Sequence, residues 1–385
     1  MKKSWVIVLC LAAALISSCV TMTVMDKPAA RQEQSKLDQL EHLIDERFIG
    51  EVDRTAIEDA AAAAMVAALG DEWSYYIPAA QYQSHLEQMN NAYVGIGITI
   101  MVLEEEKGFT VISVTPGGPA EEAGMQVQDI IVAISGTSTV GMTTTEAGTL
   151  VKGEENTQVV LTVDRGGNVF DLTVTRKQIQ NPVVTWQMLD QNIGLIDIAN
   201  FDARCFDEFR VAMEALLNQG AEGLIFDVRN NPGGYKHELV AVLDYLLPEG
   251  PLFRSEDYLG NTSVDSSDAE HVDIPMAVLV NDSSFSAAEF FAAALDEYDA
   301  AVVVGQQTYG KGYFQTTIIL NDGSAVGLSV GKYTTPKGVS LAGVGITPEI
   351  VVEVDADTEL DIYTGLLAPE EDPQIRAAVE ALLGQ

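Results

Sequence analysis

Two side chains whose types could do chemistry follow apolar runs in the sequence. Ser286 comes after the run Met276–Val280 and a polar turn, where an apolar helical pattern begins. Lys311 lies between two glycines, shortly after a second apolar run at 301–304. A serine hydroxyl beside a neutral lysine amine can act as nucleophile and general base in acyl transfer, with lysine in the place that histidine often takes.

The surroundings of Ser286 fit oxyanion stabilisation but also a purely structural function. Backbone N–H groups at a helix start are unpaired and the helix dipole is positive there, so the Ala287 N–H is a natural oxyanion donor. However, Ser286 and Glu289 also have the spacing of a capping box, which needs no catalysis. Ser283 and Ser284 are alternative nucleophiles in the same turn.

Lys311 can act as a base only if burial lowers its pKa. The flanking glycines allow the backbone to bring the amine close to another element. Gln315, four positions later, could hydrogen-bond Lys311 and orient it. The alternatives are a solvated lysine in a glycine loop and a glutamine that is an ordinary strand residue.

A glycine-rich turn, Asp227–Gly234, follows another buried-strand pattern. Glycines at such a strand end permit a tight turn that exposes N–H groups toward a crevice. Gly233 or Gly234 is therefore a candidate second donor to an oxyanion. The alternative is a turn that only leads into the next helix.

Strand and helix patterns alternate after Asn181-Pro182, which is typical of an α/β domain. The predicted elements are strands at 193–198, 223–228, 276–280 and 301–304, helices at 206–217, 239–246 and 286–295, a hairpin at 315–320 and 324–330, a strand at 347–352 and a helix at 372–383. This order puts the serine, the lysine and the glycine turn after three strands of one domain.

The preceding half combines a small helical region with a strand-rich module. The predicted elements are helices from 35 onward, at 56–69 and at 81–89, a strand at 93–100, a strand at 109–114, a helix at 143–151 and a hairpin at 157–163 and 169–174.

The strand-rich module resembles a PDZ domain over about 91–179. The resemblance rests on YVGIG followed by GGPAEEAGMQVQDIIVAISG. A glycine-bearing turn can direct N–H groups at a peptide carboxylate, and the following strand edge can accept the peptide as an added strand. The candidate peptide-binding residues are Tyr93, Val94, Gly95, Ile96 and Gly97. The alternative is a small β module that only packs.

Composition excludes several classes of site. Acidic residues number 57 against 21 basic ones, for a net charge of −36, so phosphate would be repelled and nucleic-acid binding is not expected. No Cys/His cluster has metal-ligand spacing, and no metal or other cofactor is expected. Cys205 has no partner cysteine outside the N-terminal segment, which excludes a disulfide framework.

The first 25 residues have the pattern of a targeting segment, with Lys2 and Lys3 before an apolar run. Ile16–Cys19 resembles a bacterial lipobox, which would make Cys19 a lipidated N-terminus. A run that continues uncleaved is long enough to span a bilayer, and an ordinary cleaved signal is the third option. Each option predicts a body outside the cytoplasm, and the first two predict attachment to the bacterial cell envelope as a lipoprotein or by a single span.

Several motifs, in order, resemble those of the carboxyl-terminal processing peptidases, also called tail-specific proteases. They are RNNPGG at 229–234, a VN…S-x-S-x-x-E segment with Val280, Asn281, Ser284, Ser286 and Glu289, a T-[FY]-G-K-G-x-x-Q segment at 308–315, and a YYTPxGxSIxGxGIxPDI-like region at 333–350. The similarity extends from the helical region to about Val352. Three positions depart from the pattern and affect the expected pocket shape: Phe285, Ser283 and Ala288.

The resemblance implies a crotonase/ClpP-like α/β catalytic core in which Ser286 is the nucleophile, Lys311 the base and Gln315 its support. It also implies protein or peptide substrates bound by their C-termini, and a possible homodimer through terminal helices at 35–69 and 372–383. The predicted organisation is a signal or anchor at 1–25, a helical region at 26–90, a PDZ domain at 91–179, a serine peptidase domain at 180–366 and a C-terminal helix at 367–385.

Two other function classes stay open at this point. An inactive PDZ adaptor would bind peptide tails without cleaving them, and Phe285 is its only support. A cytoplasmic crotonase-like α/β enzyme is the second, and the N-terminal segment disfavours it.

Overall fold

The computed structural model describes residues 35–89, 92–102 and 107–384. It divides into two units, the first ending at Ala64 and the second beginning at Met65. The predicted anchor at 1–25 and the lipidation candidate Cys19 lie outside the described residues. Within the described ranges, no helix is both long and apolar enough to cross a bilayer.

The two N-terminal helices form where their patterns predict them. Helix α1 is Lys36–Arg47 and helix α2 is Arg54–Ala67. Ser35 caps α1 reciprocally with Asp38, because each side chain accepts the other residue's backbone N–H. In the described part of α1 no residue is buried.

A short strand, β1 (Tyr75–Ile77), precedes helix α3 (Ala79–Met89). The sequence predicted only helices for the 26–90 region, so β1 is a correction. Three residues are too few to show the alternation that identifies a strand. Strand β1 forms because it pairs with a strand far later in the sequence of the same unit.

The strand-rich module contains eight strands and two helices: β2 (Ala92–Gly95), β3 (Ile98–Met101), β4 (Phe109–Val114), α4 (Pro119–Glu122), β5 (Ile130–Ile134), β6 (Thr137–Ser138), α5 (Thr144–Val151), β7 (Gln158–Arg165), β8 (Asn168–Thr175) and β9 (Lys177–Gln180). The sheet order is β3-β4-β5-β7-β8, with β6 beside β5, while β2 pairs with β9. The strand predicted at 93–100 is therefore two strands in different sheets, separated at Gly97, whose φ is +77°.

The remaining elements are β10 (Val184–Met188), a 3₁₀ turn (Asp190–Asn192), β11 (Ile193–Ile198), α6 (Cys205–Asn218), β12 (Gly223–Asp227), α7 (Lys236–Leu246), β13 (Gly250–Asp257), β14 (Thr262–Ser267), β15 (Met276–Val280), α8 (Ala287–Glu297), β16 (Ala301–Gly305), β17 (Tyr313–Ile319), β18 (Ala325–Thr334), β19 (Ile350–Val351), α9 (Ala356–Thr364) and α10 (Pro373–Leu383). The sequence missed β10, β13, β14 and α9.

The central sheet has the order β10-β11-β12-β15-β16-β19, and all its strands except the edge strand β10 run parallel. Alternate residues face opposite layers. Phe226 and Val278 pack against α6, α7 and α8 in the larger core, whereas Ile225 and Leu279 pack against α10. Helices on both faces explain why these strands are continuous apolar runs.

A second, antiparallel sheet has the order β1-β18-β13-β14, with β17 also paired to β18. Tyr75 of β1 lies opposite Gly327 of β18. A Cβ on Gly327 would lie 2.3 Å from the nearest atom of the Tyr75 ring, so a larger residue there would displace the ring. This pairing joins the chain just before α3 to the sheet that also contains β17.

Candidate active site

Three turns meet at the carboxyl edge of the central sheet. They follow the parallel strands β12, β15 and β16 and contain, respectively, the glycine turn 229–234, the serine turn 281–286 and the lysine loop 306–312. In open α/β sheets this edge is where ligands bind. The predicted catalytic residues therefore lie where the topology allows a site.

One cavity of about 730 Å³ lies among these turns. Its lining contains all the residues predicted for catalysis and for oxyanion binding: Ser286, Lys311, Gln315, Gly233, Gly234 and Ala287. The predicted peptide-binding residues at 93–97 are not part of this lining and lie in the strand-rich module. The structure thus brings the six catalytic candidates together in one cavity, while the five peptide-binding candidates lie outside it.

Ser286 has a strained backbone. Its φ is +58° and its ψ is −122°, a conformation that non-glycine residues rarely adopt and that costs about 1–3 kcal/mol. Two hydrogen bonds hold the turn: the Ser286 N–H donates to Glu289 Oε2 (3.0 Å) and the Phe285 N–H donates to the Asn231 carbonyl (3.1 Å). With this backbone, Ser286 is part of the cavity lining.

The competing serines have structural partners instead. Ser284 is fully buried, and its Oγ donates to the Val228 carbonyl (2.7 Å) and accepts the Asn281 N–H (3.0 Å). The Ser283 hydroxyl donates to Asp282. Ser286 is the one serine among the described residues that line the cavity.

Glu289 joins the serine turn to the lysine loop. Besides the Ser286 N–H, its carboxylate accepts the Lys311 N–H (2.8 Å), the Gly310 N–H (2.7 Å) and the Thr308 hydroxyl (2.6 Å). Burial raises the pKa of Glu289, and these four hydrogen bonds lower it in part. Four donors point at the two carboxylate oxygens of Glu289, so a proton on this carboxyl group would have no acceptor beside it. The geometry therefore fits the ionised form of Glu289. The Glu289 half of the capping box is therefore present, and the same carboxylate also ties the serine turn to the lysine loop.

Lys311 is half-buried, and burial lowers the pKa of its amine. The charges of Glu289 and Asp71 oppose this by favouring the ammonium form. The Nζ lies 4.6 Å from the centre of the Trp73 ring. No carboxylate of the described chain forms an ion pair with Nζ. A net-lowered pKa is what a lysine base requires.

The glycines beside Lys311 allow a close approach of backbones, as their positions predict. A Cβ on Gly310 would lie 2.9 Å from the Val344 N, and one on Gly312 would lie 2.6 Å from the Ala342 N. The lysine loop therefore packs directly on the segment 342–345. The Tyr309 N–H also donates to the Ser284 carbonyl (3.3 Å), which links the loop to the serine turn.

Gln315 lies in the cavity but its amide nitrogen points elsewhere. Gln315 Nε2 donates to Ser329 Oγ (3.1 Å) and to the Tyr313 carbonyl (3.3 Å). These bonds fix the orientation of the side-chain amide. Support of Lys311 by Gln315 stays a prediction.

Gly233 passes so close to the serine turn that no side chain fits between them. A Cβ on Gly233 would lie 2.8 Å from the Ser286 Cβ and 2.9 Å from the Ala287 N, and its φ of +93° also favours glycine. Its own N–H donates to Asn231 Oδ1 (2.8 Å). Among described residues, the N–H groups of Gly234 and Ala287 have no hydrogen-bond partner. These two are the donors that stay free for an oxyanion.

The rest of the cavity wall is mainly apolar and aromatic. Phe285 is part of it, and its ring lies 5.7 Å from that of Tyr309, so the residue that departs from the family pattern shapes the pocket. The ionisable bases in the wall are His85, Lys236 and Lys311, and none of the described lining residues is acidic. Elsewhere in the described ranges, no group of three or more Asp, Glu, His or Cys side chains could hold a metal.

The candidate peptide-binding turn of the strand-rich module has free donors. The Ile96 and Gly97 carbonyls accept the N–H groups of Ala120 and Thr115, whereas the N–H groups of Ile96 and Gly97 have no partner within the described ranges. Strand β3, which follows, is an edge strand paired only with β4. An open edge beside free N–H groups is the arrangement that accepts an extended peptide.

Sequence reasoning missed the residues that cover Lys311. Trp73 and Asp71 lie far from the lysine in sequence, in a region predicted to be helical and without chemistry. The run Trp73-Ser74-Tyr75-Tyr76 between two helices was the available signal, because aromatic residues favour strands that pack on a core.

Comparison with known proteins identifies the family of this chain. The model of peptidase family S41 matches residues 192–352, and a PDZ domain model matches residues 110–165. The chain is 32% identical to the carboxy-terminal processing protease CtpA of Bacillus subtilis over 358 residues, which covers 89% of this chain and 76% of that protein. It is 32% identical to a carboxyl-terminal-processing protease of Synechocystis over 337 residues, covering 86% and 77%.

Two solved structures share the fold. The photosystem II D1 C-terminal processing protease aligns with a TM-score of 0.51 at 28% identity, over 89% of this chain and 93% of that one. An S41-type protease of Bacteroides fragilis aligns with a TM-score of 0.61 at 17% identity, over 88% and 93%. The two family models lie in the strand-rich module and around the central sheet, where the sequence predicted a PDZ domain and a peptidase core. The chain therefore belongs to peptidase family S41, among the carboxy-terminal processing serine proteases that carry a PDZ domain.

Proposed function

We propose that this protein is an endopeptidase that cleaves peptide bonds through an acyl-enzyme on Ser286, with Lys311 as the general base. The observation that carries the proposal is that Ser286 and a desolvated Lys311 line one cavity together. Glu289 fixes the backbone of both residues. A serine hydroxyl and a desolvated amine in one cavity are the groups that acyl transfer with a lysine base requires.

The mechanism has two halves. Neutral Lys311 takes the Ser286 proton while Oγ attacks the peptide carbonyl, and the oxyanion accepts hydrogen bonds from the N–H groups of Ala287 and Gly234. The Lys311 ammonium then protonates the leaving amine. In the second half, Lys311 deprotonates a water molecule, which attacks the ester carbonyl and releases the new C-terminus and the free serine.

Gln315 supports the base in this proposal through its carbonyl oxygen. Its Nε2 already donates to Ser329 and Tyr313. The remaining polar atom, Oε1, is an acceptor and would receive a hydrogen bond from the Lys311 amine. Such a bond would aim the amine at the Ser286 hydroxyl.

The PDZ domain is proposed to bind the C-terminal tails of protein substrates. The free N–H groups of Ile96 and Gly97 would bind the terminal carboxylate, and the tail would pair with the open edge of β3. Tyr93, Val94 and Gly95 complete the proposed binding segment. Binding of a tail at this turn is separate from cleavage, so the two steps can be measured independently.

We also propose that the protein acts outside the cytoplasm, attached to the cell envelope by residues 1–25. The support is the sequence pattern, with lipidation of Cys19 or an uncleaved span as the two forms of attachment. The intact mass of the membrane-purified protein decides between them. Loss of residues 1–18 with an added lipid indicates the lipoprotein, and retention of the segment indicates the span.

A homodimer through the terminal helices is the last element of the proposal. Leu37, Leu40 and Leu43 lie at helical spacing on α1 and are exposed by 42%, 52% and 45%. An apolar stripe of this kind is typical of a helix that packs against a partner. Light scattering on wild type and Leu40→Glu tests it: the proposal predicts a dimer that the variant dissociates.

Hydrolysis of an unfolded protein with an apolar C-terminus tests the central step. We expect cleavage by wild type and a loss of at least about 10⁴-fold in Ser286→Ala and Lys311→Ala, because each residue is essential to a unit that acts together. Ser283→Ala and Lys337→Ala are matched controls outside the cavity and should retain wild-type rates. Wild type that binds the tail peptide without cutting would indicate a PDZ adaptor instead, and an active Ser286→Ala would exclude Ser286 as nucleophile.

A further inference from the structure

The side chain of Trp73 lies directly over the lysine proposed as base. The distance from Lys311 Nζ to the centre of the indole ring is 4.6 Å, within the range of a cation–π contact. The same ring packs edge-on against Tyr309, with 5.2 Å between ring centres. Trp73 therefore contacts both the lysine and the loop that carries it.

A network of hydrogen bonds fixes the segment that carries Trp73. Asp71 accepts the Trp73 N–H (3.3 Å) and the Ser74 hydroxyl, and Ser74 Oγ accepts the Ser329 N–H (3.1 Å) from β18. These bonds lower the pKa of the Asp71 carboxyl, although its burial acts in the opposite direction. Next along the chain, β1 pairs with β18. The residues that follow Trp73 are thus anchored to the second sheet, and Asp71 before it holds the local turn.

The indole acts on Lys311 in two opposing ways. Its face displaces water, which disfavours the ammonium form, while its π electrons attract the ammonium form. Burial is the larger influence on Lys311, since its pKa is lowered despite the charges of Glu289 and Asp71. The other basic groups in the cavity wall are His85 and Lys236. Removing the ring should therefore raise the pKa of Lys311, because renewed hydration favours the ammonium form by more than the lost cation–π attraction disfavours it.

We propose that Trp73 is a positioning residue for the general base: its ring covers Lys311 and keeps water away from the amine in the free enzyme. This inference rests on the proposed function of Lys311. It assigns a task in the active site to a segment that comes before the PDZ domain in sequence. Two distant parts of the chain then contribute to the base: the loop after β16 carries Lys311, and the segment before β1 carries the ring that covers it.

The pH dependence of kcat/KM tests the inference, because it reports the pKa of the base in the free enzyme. Activity requires neutral Lys311, so it falls as the pH drops through that pKa. In Trp73→Ala we expect this acid limb to move to higher pH by on the order of one unit, which is about a tenfold loss at pH values below the limb. Trp73→Phe keeps an apolar ring over the amine and should stay close to wild type.

Trp186→Ala is the matched control, because Trp186 is exposed on β10 and lies outside the cavity lining. Its acid limb should coincide with that of wild type. Circular dichroism verifies folding of each variant, and if Trp73→Ala does not fold, Trp73→Gln takes its place, since it also replaces the ring by a hydrated side chain. The inference is overturned if the acid limb of Trp73→Ala, or of Trp73→Gln in its place, is unchanged or moves to lower pH.

Lys311→Ala separates failure of this inference from failure of the proposed function. If Lys311→Ala stays active, the lysine is not the base and the proposed mechanism fails. If Lys311→Ala is inactive but the acid limb of Trp73→Ala matches that of wild type, the mechanism stands and only the inference about Trp73 fails.

Discussion

The serine turn and the lysine loop both follow parallel strands, but different kinds of contact hold the two segments in place. Ser286 is held mainly within its own turn, by a strained backbone and a capping carboxylate three residues later, although Gly233 of the neighbouring turn also lies against it. Lys311 depends on parts of the chain far away in sequence, because Trp73 covers it and the segment 342–345 supports its loop.

The difference fits the two chemical tasks that we propose for these residues. A nucleophile needs an exact position, which a turn and a helix start provide locally. A lysine base needs a changed environment, and removal of water takes surface contributed by other elements. Glu289 connects the two segments, since its carboxylate accepts hydrogen bonds from the backbone N–H groups of both Ser286 and Lys311.

Among replacements outside the proposed pair of Ser286 and Lys311, that of Glu289 should have the largest effect, because it disturbs both segments at once. In Glu289→Gln, the side-chain NH₂ group takes the place of a carboxylate oxygen and faces backbone N–H groups that it cannot accept from. These buried donors lose their acceptor, so the free energy of unfolding should fall by about 3 kcal/mol. Because a misplacement of about 1 Å costs on the order of 10²-fold, loss of both positions should lower kcat by roughly 10³-fold. Steady-state kinetics and urea unfolding measure the two quantities.

Glu297→Gln is the control for this change. Glu297 is the last residue of the same helix and also accepts two hydrogen bonds, from Thr335 and Lys337, but away from the cavity. It should lose stability with nearly unchanged kcat. Equal kcat losses in the two variants would show that Glu289 has no special connection to the active site.

Gly233→Ala should affect the serine side alone. The added Cβ would come within 2.8 Å of the Ser286 Cβ, so the turn must shift, and we expect a loss of about 10²-fold in kcat. Gly260→Ala is matched, since Gly260 also has a positive φ (+81°) but open space around its Cβ. It should cost about 1 kcal/mol of stability and no activity. Comparable kcat values for the two variants would contradict the close approach at Gly233.

Ser284→Ala should have the smallest effect on rate. Its buried hydroxyl bonds Val228 and Asn281, so we expect a loss of about 1–3 kcal/mol in the free energy of unfolding. Because Ser284 lies outside the cavity, kcat/KM of the folded protein should stay within about threefold of wild type. Loss of all activity in a folded Ser284→Ala protein would move the nucleophile to Ser284.

Local patterns were enough to predict most elements and the local structure around Ser286. The apolar run before Ser286 and the spacing to Glu289 gave the strand, the helix start and the cap. The glycines on each side of Lys311 indicated a close approach of backbones, which the structure contains.

Long-range contacts could not be predicted in the same way. The strand Tyr75–Ile77 is too short to have a pattern and forms only by pairing with β18. Trp73 reaches Lys311 because of that pairing, and Glu289 reaches the lysine loop because β15 and β16 are neighbours. In each case, the contact depends on which strands pair, and spacing along the chain does not reveal that.

The most direct test of the central claim is to locate the acyl group during turnover. Wild type and Lys311→Ala would be mixed with an activated ester of an apolar peptide, quenched in acid at matched early times and mapped by mass spectrometry. The account predicts an acyl group on Ser286 in wild type, formed about 10²–10⁴-fold more slowly in Lys311→Ala. An acyl group on another residue, or equal rates of Ser286 acylation in both proteins, would contradict it.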